Sequence, residues 1–67
     1  MSSFAEKLKE LRLEKNLTLA ELAKKTNLSI TAIHQWENNL RIPNANAVTA
    51  LAKFFEVSTD YILGLTD

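Results

Sequence analysis

Leu19-Ala20-Glu21-Leu22-Ala23-Lys24-Lys25-Thr26-Asn27-Leu28-Ser29-Ile30-Thr31-Ala32-Ile33-His34-Gln35-Trp36-Glu37-Asn38 carries two short helical patterns separated by a turn of a few residues. Leu19, Leu22 and Ala23 share one side of the first pattern, and Ala32, Ile33 and Trp36 share one side of the second. Such spacing, at about 100° per residue, marks amphipathic helices that bury one face. Ala23 is small where the first helix must approach the second. Asn27 sits where the chain needs a left-handed backbone, which Asn tolerates better than other residues with a β-carbon. Short helix, tight turn and second helix make a helix-turn-helix over about residues 19–38.

The same punctuation extends in both directions. An apolar residue precedes Ser or Thr, and a second apolar residue follows four positions later, in Leu17-Thr18…Leu22, Leu28-Ser29…Ile33 and Val57-Ser58…Ile62. This is the hydrophobic staple around an N-cap, whose hydroxyl accepts a backbone N–H left unpaired by the first turn. Ser3…Glu6 and Thr18…Glu21 read as capping boxes, and Asn44 after Pro43 reads as a further cap. Helices are thus predicted to begin near residues 4, 19, 30, 45 and 59. Asn16, Asn27 and Asn39 read as stops. Phe4, Leu8 and Leu11 supply the first helix's apolar stripe, and Ala47, Val48, Leu51, Ala52 and Phe55 the fourth's. The expected fold is all-α, a compact five-helix domain over residues 1–67.

Length and composition exclude most alternatives. At 67 residues there is room for one domain. Small domains need staples or very regular helix packing, and the absence of cysteine removes disulfides and thiolate zinc sites. His34 is the sole histidine, and its helical neighbours Ile30, Thr31, Glu37 and Asn38 offer at most one further ligand. Neither a metal nor a cofactor is expected. No phosphate-cradling glycine loop or nucleophile–base set is present, which argues against an enzyme, and no small-molecule site is marked. No apolar run is long enough to span a membrane, and the N-terminus lacks a basic-then-apolar signal pattern. A cytoplasmic protein is expected.

Net charge is zero, but its distribution is uneven. Residues 1–43 carry seven basic and five acidic groups, whereas residues 44–67 carry Lys53 against Glu56, Asp60 and Asp67. The N-terminal side therefore permits a polyanionic partner without demanding one.

Residues 4–66 resemble the lambda-repressor-like helix-turn-helix family, the DNA-binding domains of phage repressors and Cro. The resemblance lies in Leu8-Lys9-Glu10-Leu11-Arg12, Leu17-Thr18-Leu19-Ala20-Glu21-Leu22-Ala23 and Leu28-Ser29-Ile30-Thr31-Ala32-Ile33-His34-Gln35-Trp36-Glu37. It continues through Pro43, Leu51-Ala52-Lys53 and Val57-Ser58-Thr59-Asp60-Tyr61-Ile62-Leu63-Gly64-Leu65. Leu19, Ile30 and Asn39 depart from it, standing where the family usually has Gln, a polar or basic residue, and Gly. The resemblance implies a regulator, in all expectation a repressor, that binds a palindromic operator on double-stranded DNA as a homodimer. The competing reading is a protein-interaction module that has kept the fold and lost DNA binding; zero net charge, Leu19 and Ile30 speak for it.

Under the resemblance, the third helix enters the major groove. Ile30, Thr31, His34, Gln35 and Asn38 fall within an arc of about 140°, opposite Ala32, Ile33 and Trp36. Gln35 suits a bidentate pair with adenine, Ile30 and the Thr31 methyl suit thymine methyl groups, and His34 suits guanine or a phosphate. Arg12, Thr18, Ser29, Asn38 and Arg41 are the expected backbone contacts. Arg12 and Glu37 match the family's ion pair between the first helix and the end of the third. At the C-terminal end, Tyr61, Ile62, Leu63 and Leu65 crowd four large apolar residues into five positions, more than one short helix can bury. Tyr61, Ile62 and Leu65 are therefore expected at a dimer interface.

Overall fold

A computed structural model of the chain describes residues 3–66. Five helices follow in order: α1 (Phe4–Glu14), α2 (Leu19–Thr26), α3 (Ile30–Glu37), α4 (Ala45–Phe55) and α5 (Thr59–Ile62). Each starts where its cap predicts. The N–H groups of Glu6, Glu21, Ala32, Ala47 and Tyr61 donate to the side-chain oxygens of Ser3, Thr18, Ser29, Asn44 and Ser58 respectively. Both capping boxes close, the Thr18 N–H reaching Glu21 Oε1 at 2.8 Å and the Ser3 N–H reaching Glu6 Oε1 at 3.4 Å.

The helices also stop by one device. A residue with positive φ follows each: Asn16 (56°), Asn27 (59°), Asn39 (59°), Glu56 (57°) and Gly64 (77°). The next residue's N–H then donates five positions back, Leu17 to Arg12, Leu28 to Ala23, Leu40 to Gln35, Val57 to Ala52 and Leu65 to Asp60. This is the Schellman closure, which pairs carbonyls that the last turn leaves open. Leu17, Leu28 and Val57 do double duty. Each completes the closure of one helix and precedes the N-cap of the next, packed against the core. Three residues thus end one helix and start another, which keeps the connections short and the helix angles defined.

The core is one cluster: Leu8 and Leu11 of α1, Leu22 of α2, Ala32, Ile33 and Trp36 of α3, Ala47, Val48, Leu51, Ala52 and Phe55 of α4, and Ile62 of α5. α3 packs on α1 and α2, while α5 packs on α4 and α1. Phe4 is half-buried instead of fully buried, its ring edge-on to Trp36 at 6.4 Å, and Ala5 takes the buried place beside Leu8. Ile62 is fully buried, which corrects its expected place at a dimer interface: this side chain completes the core of its own chain. Tyr61 is half-buried with Lys7 Nζ 4.4 Å above its ring, so α1 already covers one ring face. Leu65 remains outside, 67% exposed. No helix is long and apolar enough to cross a membrane among the described residues.

Candidate nucleic-acid interface

α3 is held from behind. Ala32, Ile33 and Trp36 are buried against α1 and α2, so the helix cannot roll without opening the core. Its other face is free: Ile30, Thr31, His34 and Asn38 are exposed and Gln35 is partly so. The expected arc is therefore assembled on one surface. It mixes hydrogen-bonding groups with a large aliphatic one, Ile30, which is 46% exposed. Major-groove readout needs both kinds, because bases present donors, acceptors and methyl groups there.

Arg12 locks the C-terminal end of this helix to α1. Its Nε donates to Glu37 Oε2 at 2.7 Å and its Nη2 to Glu37 Oε1 at 2.9 Å, a fork matched to a carboxylate. Nη1 donates to the Leu17 carbonyl at 2.8 Å, tying in the connection before α2. The bond to Glu37 raises the Arg12 guanidinium above its ordinary range, against the opposing effect of burial. The side chains are 12% and 5% exposed, so the pair is mostly dry. Of five guanidinium N–H groups, two remain for anything outside the protein. The pair was legible in the sequence. The Leu17 carbonyl was not, since a main-chain acceptor leaves no mark in side-chain identity.

Thr18 and Ser29, the caps of α2 and α3, are exposed at the two helix N-termini. Their oxygens accept main-chain N–H groups, and each hydroxyl hydrogen remains able to donate. Hydrogen bonding to Thr18, its main-chain N–H first and its side chain second, lowers the Glu21 carboxyl below its ordinary range. Asn38 Nδ2 donates to the His34 carbonyl at 2.8 Å, which leaves its Oδ1 outward as an acceptor. Lys24 and Lys25 are exposed and, with Glu21, line a shallow surface depression on α2.

Arg41, exposed just beyond α3, makes a contact that was not expected. Its Nη1 donates to Gln35 Oε1 at 3.4 Å, so it touches the base-reading candidate directly. Asn39 was readable as a stop, but the direction in which residues 40 and 41 then run was not. On either side of Arg41 stand Leu40 and Ile42, the latter 90% exposed and the most exposed large apolar residue described. Beyond Ile42, residues Pro43, Ala45, Val48, Thr49, Thr59 and Leu63 line a groove of about 400 Å³ between the start of α4 and α5.

The sequence model of the helix-turn-helix family matches residues 8–62. The transcriptional activator BcrR of Enterococcus faecalis is 43% identical over 60 residues, covering 90% of this chain and 29% of that protein. The uncharacterised regulator YobD of Bacillus subtilis is 34% identical over 64 residues, covering 96% of this chain and 57% of that protein. This chain thus spans between about a third and somewhat over half the length of these relatives. Among solved structures, the P22 c2 repressor in complex with a synthetic operator superposes with a TM-score of 0.86 and 32% identity, over 94% of this chain and 96% of that one. Five capped helices, a recognition-type helix held from behind and these likenesses agree, and the chain belongs to the lambda-repressor-like helix-turn-helix family.

Proposed function

We propose that this protein regulates transcription, as a repressor, by placing α3 in the major groove of a palindromic operator. The observation that carries the reading is the two-sided α3, one side fixed in the core and the other presenting Ile30, Thr31, His34 and Gln35. The P22 c2 repressor, whose fold this chain shares, is bound to a synthetic operator. The matched family is one of helix-turn-helix regulators, which supports this reading over an enzymatic one. Such a role belongs in the cytoplasm.

In this reading Gln35 pairs with adenine, Ile30 and Thr31 meet thymine methyl groups, and His34 donates to guanine or phosphate. Thr18, Ser29, Asn38 and Arg41 position the protein on phosphates, and Arg12 adds its two remaining N–H groups. Two copies bind the two half-sites, about one helical turn apart. The exposed Leu65 and the groove lined by Pro43, Val48 and Leu63 offer a knob and a hollow on one chain. A twofold contact needs such self-complementarity.

Selection from random duplex DNA, followed by titration at several salt concentrations, tests the proposal. The expected result is a palindromic site, two chains per duplex and an affinity that falls steeply with salt as counterions are released. A protein-interaction module gives no enriched site and no such slope. One chain per saturated duplex refutes the homodimer alone.

A further inference from the structure

We infer that Arg41 is a positioning residue for base recognition: it sets the orientation of the Gln35 amide before DNA arrives. The inference rests on the DNA-binding reading above and deepens it.

The backbone brings the two residues together. Asn39 turns the chain with φ of 59°, and the Leu40 N–H then donates to the Gln35 carbonyl at 2.8 Å. The next residue is Arg41, whose Nη1 donates to Gln35 Oε1 at 3.4 Å. Main chain and side chain of the loop therefore both land on Gln35. An Asn39-type stop is what makes this possible, because a straight continuation of α3 would carry residue 41 away from residue 35.

The consequence lies in amide polarity. Free glutamine on a helix surface swings about three torsions and presents either its oxygen or its nitrogen. An arginine has only donors, so it accepts only the oxygen as partner. With Arg41 on one lone pair of Oε1, the second lone pair and the Nε2 donors remain. That is the pair needed for adenine, which offers an N6 donor beside an N7 acceptor. Guanine offers acceptors at both N7 and O6, so an oxygen held in place meets an oxygen. Arg41 thus favours adenine over guanine at a base it does not touch. A group fixed in advance also loses less freedom on binding. The guanidinium keeps four further N–H groups for phosphate, which joins base reading to backbone contact in one side chain.

The test compares the unaltered chain with Arg41→Ala, Gln35→Ala and the double variant, on duplexes enriched from a random pool by the unaltered chain. Arg41 is exposed, so melting curves should show its variant folded. Expected is a loss of about tenfold in adenine-over-guanine preference at one position in Arg41→Ala, matching Gln35→Ala. Preference elsewhere is retained, and the double variant loses no more at that position. In the DNA-free protein, the Gln35 side-chain amide becomes more mobile by NMR relaxation in Arg41→Ala. Uniformly weaker binding with the preference intact, or an unchanged Gln35 amide, overturns the inference. Failure of the unaltered chain to enrich any sequence overturns the DNA reading itself, and the inference with it.

Discussion

Arg12 of α1 and Glu37 of α3 face each other through two hydrogen bonds of similar length, 2.7 and 2.9 Å, in surroundings nearly closed to water. The pair spans the helix that presents the proposed reading surface and the helix behind it. Removing one partner strands the other charge. Arg12→Met should destabilise the fold by about 3 kcal/mol. Replacing both residues with Met should cost less than either single change, because no charge is left buried alone. Thermal or urea melts of the four proteins check this; additive losses would show that the pair has no coupling.

The aliphatic member of the reading surface makes a separate prediction. Ile30 is 46% exposed, so Ile30→Ala should change stability little. On a selected operator it should weaken binding by about 1 kcal/mol, the scale of one apolar contact withdrawn from a thymine methyl. Replacing that thymine by uracil should weaken the unaltered chain to a similar degree and Ile30→Ala hardly at all. Equal sensitivity of both proteins to uracil would place Ile30 away from the base.

How much of this was legible beforehand differs from residue to residue. All five helix starts were, because a side-chain oxygen capping the first turn must be Ser, Thr, Asp or Asn, and Ser3, Thr18, Ser29, Asn44 and Ser58 declare themselves. Three left-handed stops were read from Asn16, Asn27 and Asn39. Glu56 was not, since Glu has no preference for that conformation. The Val57-Ser58 pair downstream was the only sign that α4 must end there. Ile62 was misplaced because apolar crowding reveals surplus without saying which side chain the core takes. The Arg41–Gln35 contact depends on the direction of a loop, which no periodicity encodes.

Glu56 also marks a place to gain stability. Its β-carbon is held at φ 57°, a conformation that disfavours residues other than glycine by about 1–2 kcal/mol. Part of any gain is offset by the greater freedom of glycine in the unfolded chain. Glu56→Gly should therefore stabilise by about 0.5–1 kcal/mol and raise the melting temperature by roughly 2–8 °C. Asn27→Gly should do less, since Asn tolerates the same region better. A melting temperature unchanged by Glu56→Gly contradicts the account.

The capping box of α2 predicts a pH effect. Glu21 accepts the Thr18 N–H, which lowers its carboxyl below the usual range. A group whose folded pKa is depressed supports the fold above its unfolded pKa and ceases to do so as pH falls through the folded one. Glu21→Gln keeps an oxygen for the Thr18 N–H but cannot titrate. The variant should melt below the unaltered chain at neutral pH, with the gap closing as the solution is acidified past the carboxylate range. A gap independent of pH would assign the difference to something other than the charge.

The left-handed helix stops bear on how long the molecule lasts in a cell. Four of them seat a β-carbon where backbone sterics resist it, and 67 residues bury little surface with which to compensate. The opened chain, not the closed one, is what proteases cut. In the proposed DNA-binding role, an operator that binds only folded protein would lower the opened fraction by mass action. Copies seated on DNA should consequently be degraded more slowly than copies adrift. In that role, the standing abundance of the chain should therefore follow the number of sites available to it, with the way its helices end as one contributor.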